Sequence, residues 1–126
     1  MRHLPSIMLG IVAVIHLMPV PGVLGGARLQ SMYGIAVDDP SLAILMRHRA
    51  VLFGLLGAFL LYAAFEPAWQ AAAYIGGFVS VLSFLVLARS AGGFNAQVGR
   101  VFAADLVALA CLVIGAAARV YVPGES

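Results

Sequence analysis

A chain of 126 residues that is 63% hydrophobic and only 10% charged, with a mean hydropathy of +1.07, has too few polar side chains to clothe a water-soluble globule. Its formal charge of +2, from seven Arg and no Lys against five acidic residues, is too small and too scattered for a nucleic-acid surface. Four near-continuous apolar runs of about 20 residues each are long enough to cross a bilayer, so the expected class is all-α: one transmembrane domain over residues 1–126, a four-helix bundle with a short interfacial segment between helices 1 and 2.

Span one is expected over residues 4–24. Met1-Arg2-His3, an apolar stretch and Gly25-Gly26-Ala27 also have the outline of a cleavable signal; the segment is taken here as a span. Pro19 and Pro21 near its end remove amide donors, so the chain should kink or unwind at Leu17 to Gly22. Arg28 to Tyr33 reads as a short amphipathic turn or helix at the interface, with Tyr33 as its anchor. In Asp38-Asp39-Pro40-Ser41, Asp39 can cap a helix, Pro40 suits its first position, and the carboxylates complement the macrodipole.

Span two is expected over 42–65, a hinge at Glu66-Pro67, and span three over 67–88 with Trp69 and Tyr74 as interfacial aromatics. Ser90 to Asn95 forms a glycine-containing turn, span four covers 97–119, and Val122 to Ser126 is a tail. The loops after spans one and three carry Arg28, Arg47, Arg49, Arg89 and Arg100. The positive-inside rule then puts them in the cytoplasm and both termini outside it.

Helices in lipid associate through small residues. Span two offers Ala43, Ala50, Gly54 and Gly57 with Arg47 on one face; span three offers Ala72, Gly76 and Ser80; span four offers Ala104, Ala108, Cys111 and Gly115. Ionisable groups within such spans are costly and need partners or work to do. From helix rise, Arg47 and Asp105 each lie about 7 Å into their spans, and His16 about 12 Å from the same side. All three therefore fall in one leaflet. Sharing the small-residue face makes Arg47 the expected inward cation, paired with Asp105 and with His16 nearby. Arg49, about 200° around the helix, would snorkel to headgroups. Such a pair can serve a ligand, or it can simply fix helix register. His48 is placed at the headgroup boundary, and the alternative for His16 is a hydrogen bond to a carbonyl freed by the prolines.

The run Met32-Tyr33-Gly34, Asp38-Asp39-Pro40 and Leu45 to Gly54 resembles the small four-helix bacterial membrane proteins of the DoxX-like group. On that resemblance Tyr33, Arg49, Ala50 and Gly54 are family positions, which favours Arg49 over Arg47. It implies a compact inner-membrane bundle with quinone or thiol-redox associations. A single Cys111 departs from a dithiol role. The chain lacks the soluble α/β pattern and His-x-Gly-His motif of a phosphopantetheine adenylyltransferase.

Two functions are weighed first. One is a non-enzymatic membrane module that binds a lipid-like or quinone-like molecule, or serves as a subunit or homo-oligomer in a larger assembly. Its ligand-binding residues would be Tyr33, Arg47, His48, Arg49 and Asn95. The other is an intramembrane isomerase or cyclase for a polyprenyl, sterol-like or quinone substrate, with Asp105 and His16 as acid and base. Transport would need a polar path through both leaflets, for which span three supplies only Ser80 and Ser83. The spacing of His16, His48 and Asp105 suggests no metal site, and no cofactor is expected.

Overall fold

The computed structural model describes residues 3–21, 25–34 and 39–121, without the side chains of residues 26–29 and 121. Asp38, Gly22 and the tail therefore lie outside the described residues, as does the side chain of Arg28. Among the described residues five α-helices follow one another: α1 Leu4–Leu17, α2 Gly26–Tyr33, α3 Pro40–Phe65, α4 Gln70–Ser90 and α5 Ala96–Tyr121. No strand occurs among the described residues.

Local chemistry sets the boundaries. The Asp39 side chain accepts a hydrogen bond from the Leu42 amide at 3.1 Å, and Pro40 opens α3 with a nitrogen that needs no partner. Glu66, held extended by the proline after it, ends that helix (φ −126°, ψ 92°). A single 3-10 turn, Pro67–Trp69, then leads into α4. Asn95 caps α5 by accepting from the Val98 amide at 2.8 Å. Helix α1 stops at Leu17, ahead of Pro19, and the chain turns there.

Three helices, Pro40–Phe65, Pro67–Ser90 and Ala96–Val120, are long and apolar enough to cross a membrane. Helix α1 is shorter than the expected 4–24 span. Its 14 residues rise about 21 Å, against a hydrocarbon thickness of about 30 Å. The prolines that forecast a kink end the helix outright.

Helix α1 packs between α3 and α5, and α4 completes the ring by packing on those same two helices. Leu9, Val12, Leu60, Val81 and Leu112 are fully buried in the shared core. Small residues permit the close approaches. A methyl group added at Gly57 would lie 2.9 Å from Leu17 and 3.2 Å from the Ala13 carbonyl, and one at Gly54 would lie 3.1 Å from Val20. On the outside, Leu55, Phe65, Ile75, Leu87 and Val120 are all exposed.

At one end of the ring, polar groups tie α1 to the start of α4. The Tyr74 hydroxyl donates to the Pro5 carbonyl at 2.7 Å, and Gln70 Nε2 donates to Ser6 Oγ at 3.0 Å and to the Ala63 carbonyl at 3.2 Å. Tyr74 is thus buried (5% exposed) rather than interfacial, because its hydroxyl finds a carbonyl inside; Trp69, 50% exposed, does face outward.

Gly115 gives this end a sharp test, since a Cβ there would collide with the Tyr74 hydroxyl and press on Met8, whereas one at Gly10 would meet nothing. Gly115→Ala should lower stability by about 1–3 kcal/mol through overpacking, read as a fall in Tm in detergent, while Gly10→Ala causes no loss. Equal Tm values for the two variants would contradict the packing described.

Candidate functional site

At the other end the bundle does not close. A cavity of about 250 Å³ lies between the end of α1, α2, and the N-terminal halves of α3 and α5. Its polar lining comes from His16, Tyr33, Arg49, Gln97, Arg100 and Asp105. Ile15, Met18, Met32, Phe53, Val101 and Ala104 make up most of the apolar wall.

Arg49 is the central group. Its guanidinium donates to the Tyr33 hydroxyl at 2.7 Å and lies 4.5 Å from the centre of the Phe53 ring and 5.3 Å from that of Tyr33. A planar, weakly hydrated cation is suited to such stacking. The same guanidinium is the charge whose field reaches Asp105, which is 8% exposed. No hydrogen bond or ion pair to Asp105 occurs among the described residues.

His16 is 2% exposed and stacks on the opposite part of this wall, its ring centre 5.5 Å from that of Phe53. Nδ1 lies 3.0 Å from the Val12 carbonyl and Nε2 2.9 Å from Ser80 Oγ. A carbonyl can only accept, so Nδ1 carries the proton, and in the neutral ring Nε2 accepts from the Ser80 hydroxyl. The carbonyl it uses belongs to its own preceding helical turn, not to one released by Pro19 or Pro21.

Tyr33 reaches the site because α2 folds back over the end of the bundle. Helix α2 ends at Gly34 in the left-handed conformation (φ 68°), with the Gly34 amide bonded to the Gln30 carbonyl at 2.8 Å. A side chain there would also strike Gln97 and Asn95. Asn95 Nδ2 then donates to the Tyr33 carbonyl at 2.7 Å, clamping α2 onto the start of α5. A second cavity of about 180 Å³ shares Tyr33, Arg49 and Val101 with the first and adds Met46, Phe84 and Val98. The Arg49–Tyr33 pair is therefore a partition between two spaces.

Of the sequence-derived candidates, the structure brings His16, Tyr33, Arg49 and Asp105 to one cavity and leaves others out. Arg47 and His48 are exposed, and the cation whose charge reaches Asp105 is Arg49, not Arg47 as the expected pairing had it. Tyr33 is buried at 6% exposure rather than anchored at an interface, since its hydroxyl serves Arg49. Asn95 lies outside the cavity lining and works as a helix cap and clamp. Phe53, Gln97 and Ser80 were not foreseen as site residues. Phe53 carried a usable signal, because it stands one helical turn after Arg49. Among the described residues no group of three or more His, Cys, Asp or Glu side chains comes together to hold a metal ion.

Tyr33→Phe leaves the partly buried guanidinium without its acceptor and should cost about 1.5–3 kcal/mol, as loss of a hydrogen bond to a charged group does. Thermal unfolding in detergent measures it. Arg49→Lys should fail to restore the wild-type Tm, because an ammonium cannot reproduce both the stacking and the planar fork; full rescue by Lys would refute this account of Arg49. Comparisons with protein-family models, with curated proteins and with solved structures yield no match, so what the cavity takes has to be argued from its own residues.

Proposed function

We propose that the chain is a four-span membrane protein that binds a lipid-like or quinone-like amphiphile in the cavity around Arg49. The apolar exterior supports the membrane setting: a soluble protein rarely exposes so much contiguous hydrocarbon, and Phe65, Leu55 and Val120 are each more than two-thirds exposed. Helix α1 would complete its crossing through the turn at Met18 and Pro19. The distribution of Arg puts the cavity in the cytoplasmic leaflet of the bacterial inner membrane and both termini in the periplasm.

The observation that carries the binding reading is the placement of a partly buried cation, a tyrosine and a buried carboxylate against apolar walls in a space of about 250 Å³. Ligand sites have this composition: mostly hydrocarbon, with a few convergent polar groups that fix orientation. A head of a few polar atoms would meet Tyr33, Arg49 and Asp105, and its hydrocarbon would meet Met18, Met32 and Phe53 before running out among lipid tails.

An isomerase or cyclase built on Asp105 and His16 draws less support. Both ring nitrogens of His16 are engaged within the protein, so a proton relay through them would first have to break a buried hydrogen bond. Tyr33 and Asp105 remain available to orient a bound molecule.

Native mass spectrometry after purification in mild detergent tests the proposal. Wild type should retain about one amphiphile per chain, and Ala104→Phe, which fills the cavity from α5, should lose it while keeping its helical circular dichroism. A bare wild-type chain, or equal retention by the two, would overturn the reading.

A further inference from the structure

Within the amphiphile-binding reading, on which this inference rests, the head group can be narrowed. The cavity's polar groups differ in how well the protein already satisfies them. His16 has both nitrogens engaged, and Arg49 has an acceptor in Tyr33 and two aromatic rings against its face. Asp105 has neither a hydrogen-bond donor nor an ion-pair partner among the described residues, although it is 8% exposed. A buried carboxylate without donors is the costliest kind of polar group to leave dry. A molecule that enters the cavity and covers this carboxylate must therefore supply it with a hydrogen bond.

We infer that the site selects a neutral amphiphile whose head is a hydroxyl, the hydroxyl donating to Asp105 and accepting in turn from Tyr33 or Arg49. Three features of the geometry support this choice over other heads. Tyr33 already accepts from Arg49, so its own O–H is left to donate to an incoming oxygen. A hydroxyl both donates and accepts, which matches a carboxylate facing a phenol and a guanidinium. A carbonyl head would satisfy Tyr33 and Arg49 but set its lone pairs against Asp105, leaving the carboxylate dry. A carboxylate head would gain from Arg49 and Arg100 yet place two like charges beside one another. The apolar walls formed by Met18, Met32 and Phe53 suit an unbranched or prenyl chain attached to such a head.

The test uses three molecules that share one tail and differ only in the head: farnesol, farnesal and farnesoic acid. Each competes against tritiated farnesol for the full-length protein in lipid nanodiscs. Wild type should prefer the alcohol over both the aldehyde and the acid by about tenfold or more, the size expected for one hydrogen bond to a charged group. Asp105→Asn, whose amide can donate to a carbonyl, should bring alcohol and aldehyde to within about threefold of each other. Should that variant fold poorly by circular dichroism, the wild-type series alone still decides. Equal affinity for the three heads, or preference for the acid, would overturn the inference while leaving amphiphile binding intact. Absence of specific binding by all three would count against the cavity as an amphiphile site and remove the inference with it.

Discussion

A guanidinium placed inside a bundle of apolar helices has to be held there, and the way Arg49 is held organises one whole end of this protein. Phe53, one turn further along α3, covers its face, and the Tyr33 hydroxyl takes one of its N–H groups. Tyr33 belongs to α2, so the cation can be satisfied only if that short helix folds back over the bundle. Such folding needs a left-handed residue at Gly34 and a clamp at Asn95, which ties the Tyr33 carbonyl to the start of α5. Asp105 follows on α5 within reach of the same charge. Three elements are therefore coupled through one side chain, and removing a cation's partner in low dielectric costs more than the pair contributes in water.

The two ends of the bundle treat their polar groups differently. Where α1 begins, Tyr74 meets the Pro5 carbonyl and Gln70 meets Ser6 and Ala63. These contacts are neutral, buried and directed at backbone or hydroxyl partners, which fixes α1 against α4. Where α1 finishes, ahead of Pro19, α2 lies over the end of the bundle, and the cavity is found there. Pro19 itself belongs to its lining, together with Arg49, Tyr33 and Asp105.

Much of this was legible in the sequence wherever the deciding chemistry is local. Asp39-Pro40 announces the start of α3, and Glu66-Pro67 its end, because capping and the steric effect of proline act over one or two residues. The shared depth of His16, Asp105 and an Arg also followed from helix rise. The choice between Arg47 and Arg49 did not, and the reason is geometric. Reading the seam from the small residues Ala43, Ala50, Gly54 and Gly57 favours Arg47, but Phe53, Leu56 and Leu60 also pack inward. Those three centre on a direction about 15° from Arg49 and about 145° from Arg47, at 100° per residue. Small residues mark one edge of a helix contact, while the large ones mark its centre. Tyr33 and Tyr74 were placed at interfaces for a related reason: an amphipathic ring suits an interface and a buried acceptor equally well, and only tertiary structure supplies the Arg49 guanidinium or the Pro5 carbonyl.

His16 shows how far a polar residue's mere presence in an apolar helix can mislead about chemistry. A buried imidazole beside a carboxylate suggests acid–base work, yet here Val12 and Ser80 occupy both nitrogens and Phe53 covers the ring. It closes part of the cavity wall and joins α1 to α4 through Ser80. Tyr33 and Asp105 line the same cavity, one with a hydroxyl proton to give and the other with no donor among the described residues. Within one cavity, one polar side chain is thus satisfied by the protein and another is not among the described residues, a distinction that the residue types alone do not make.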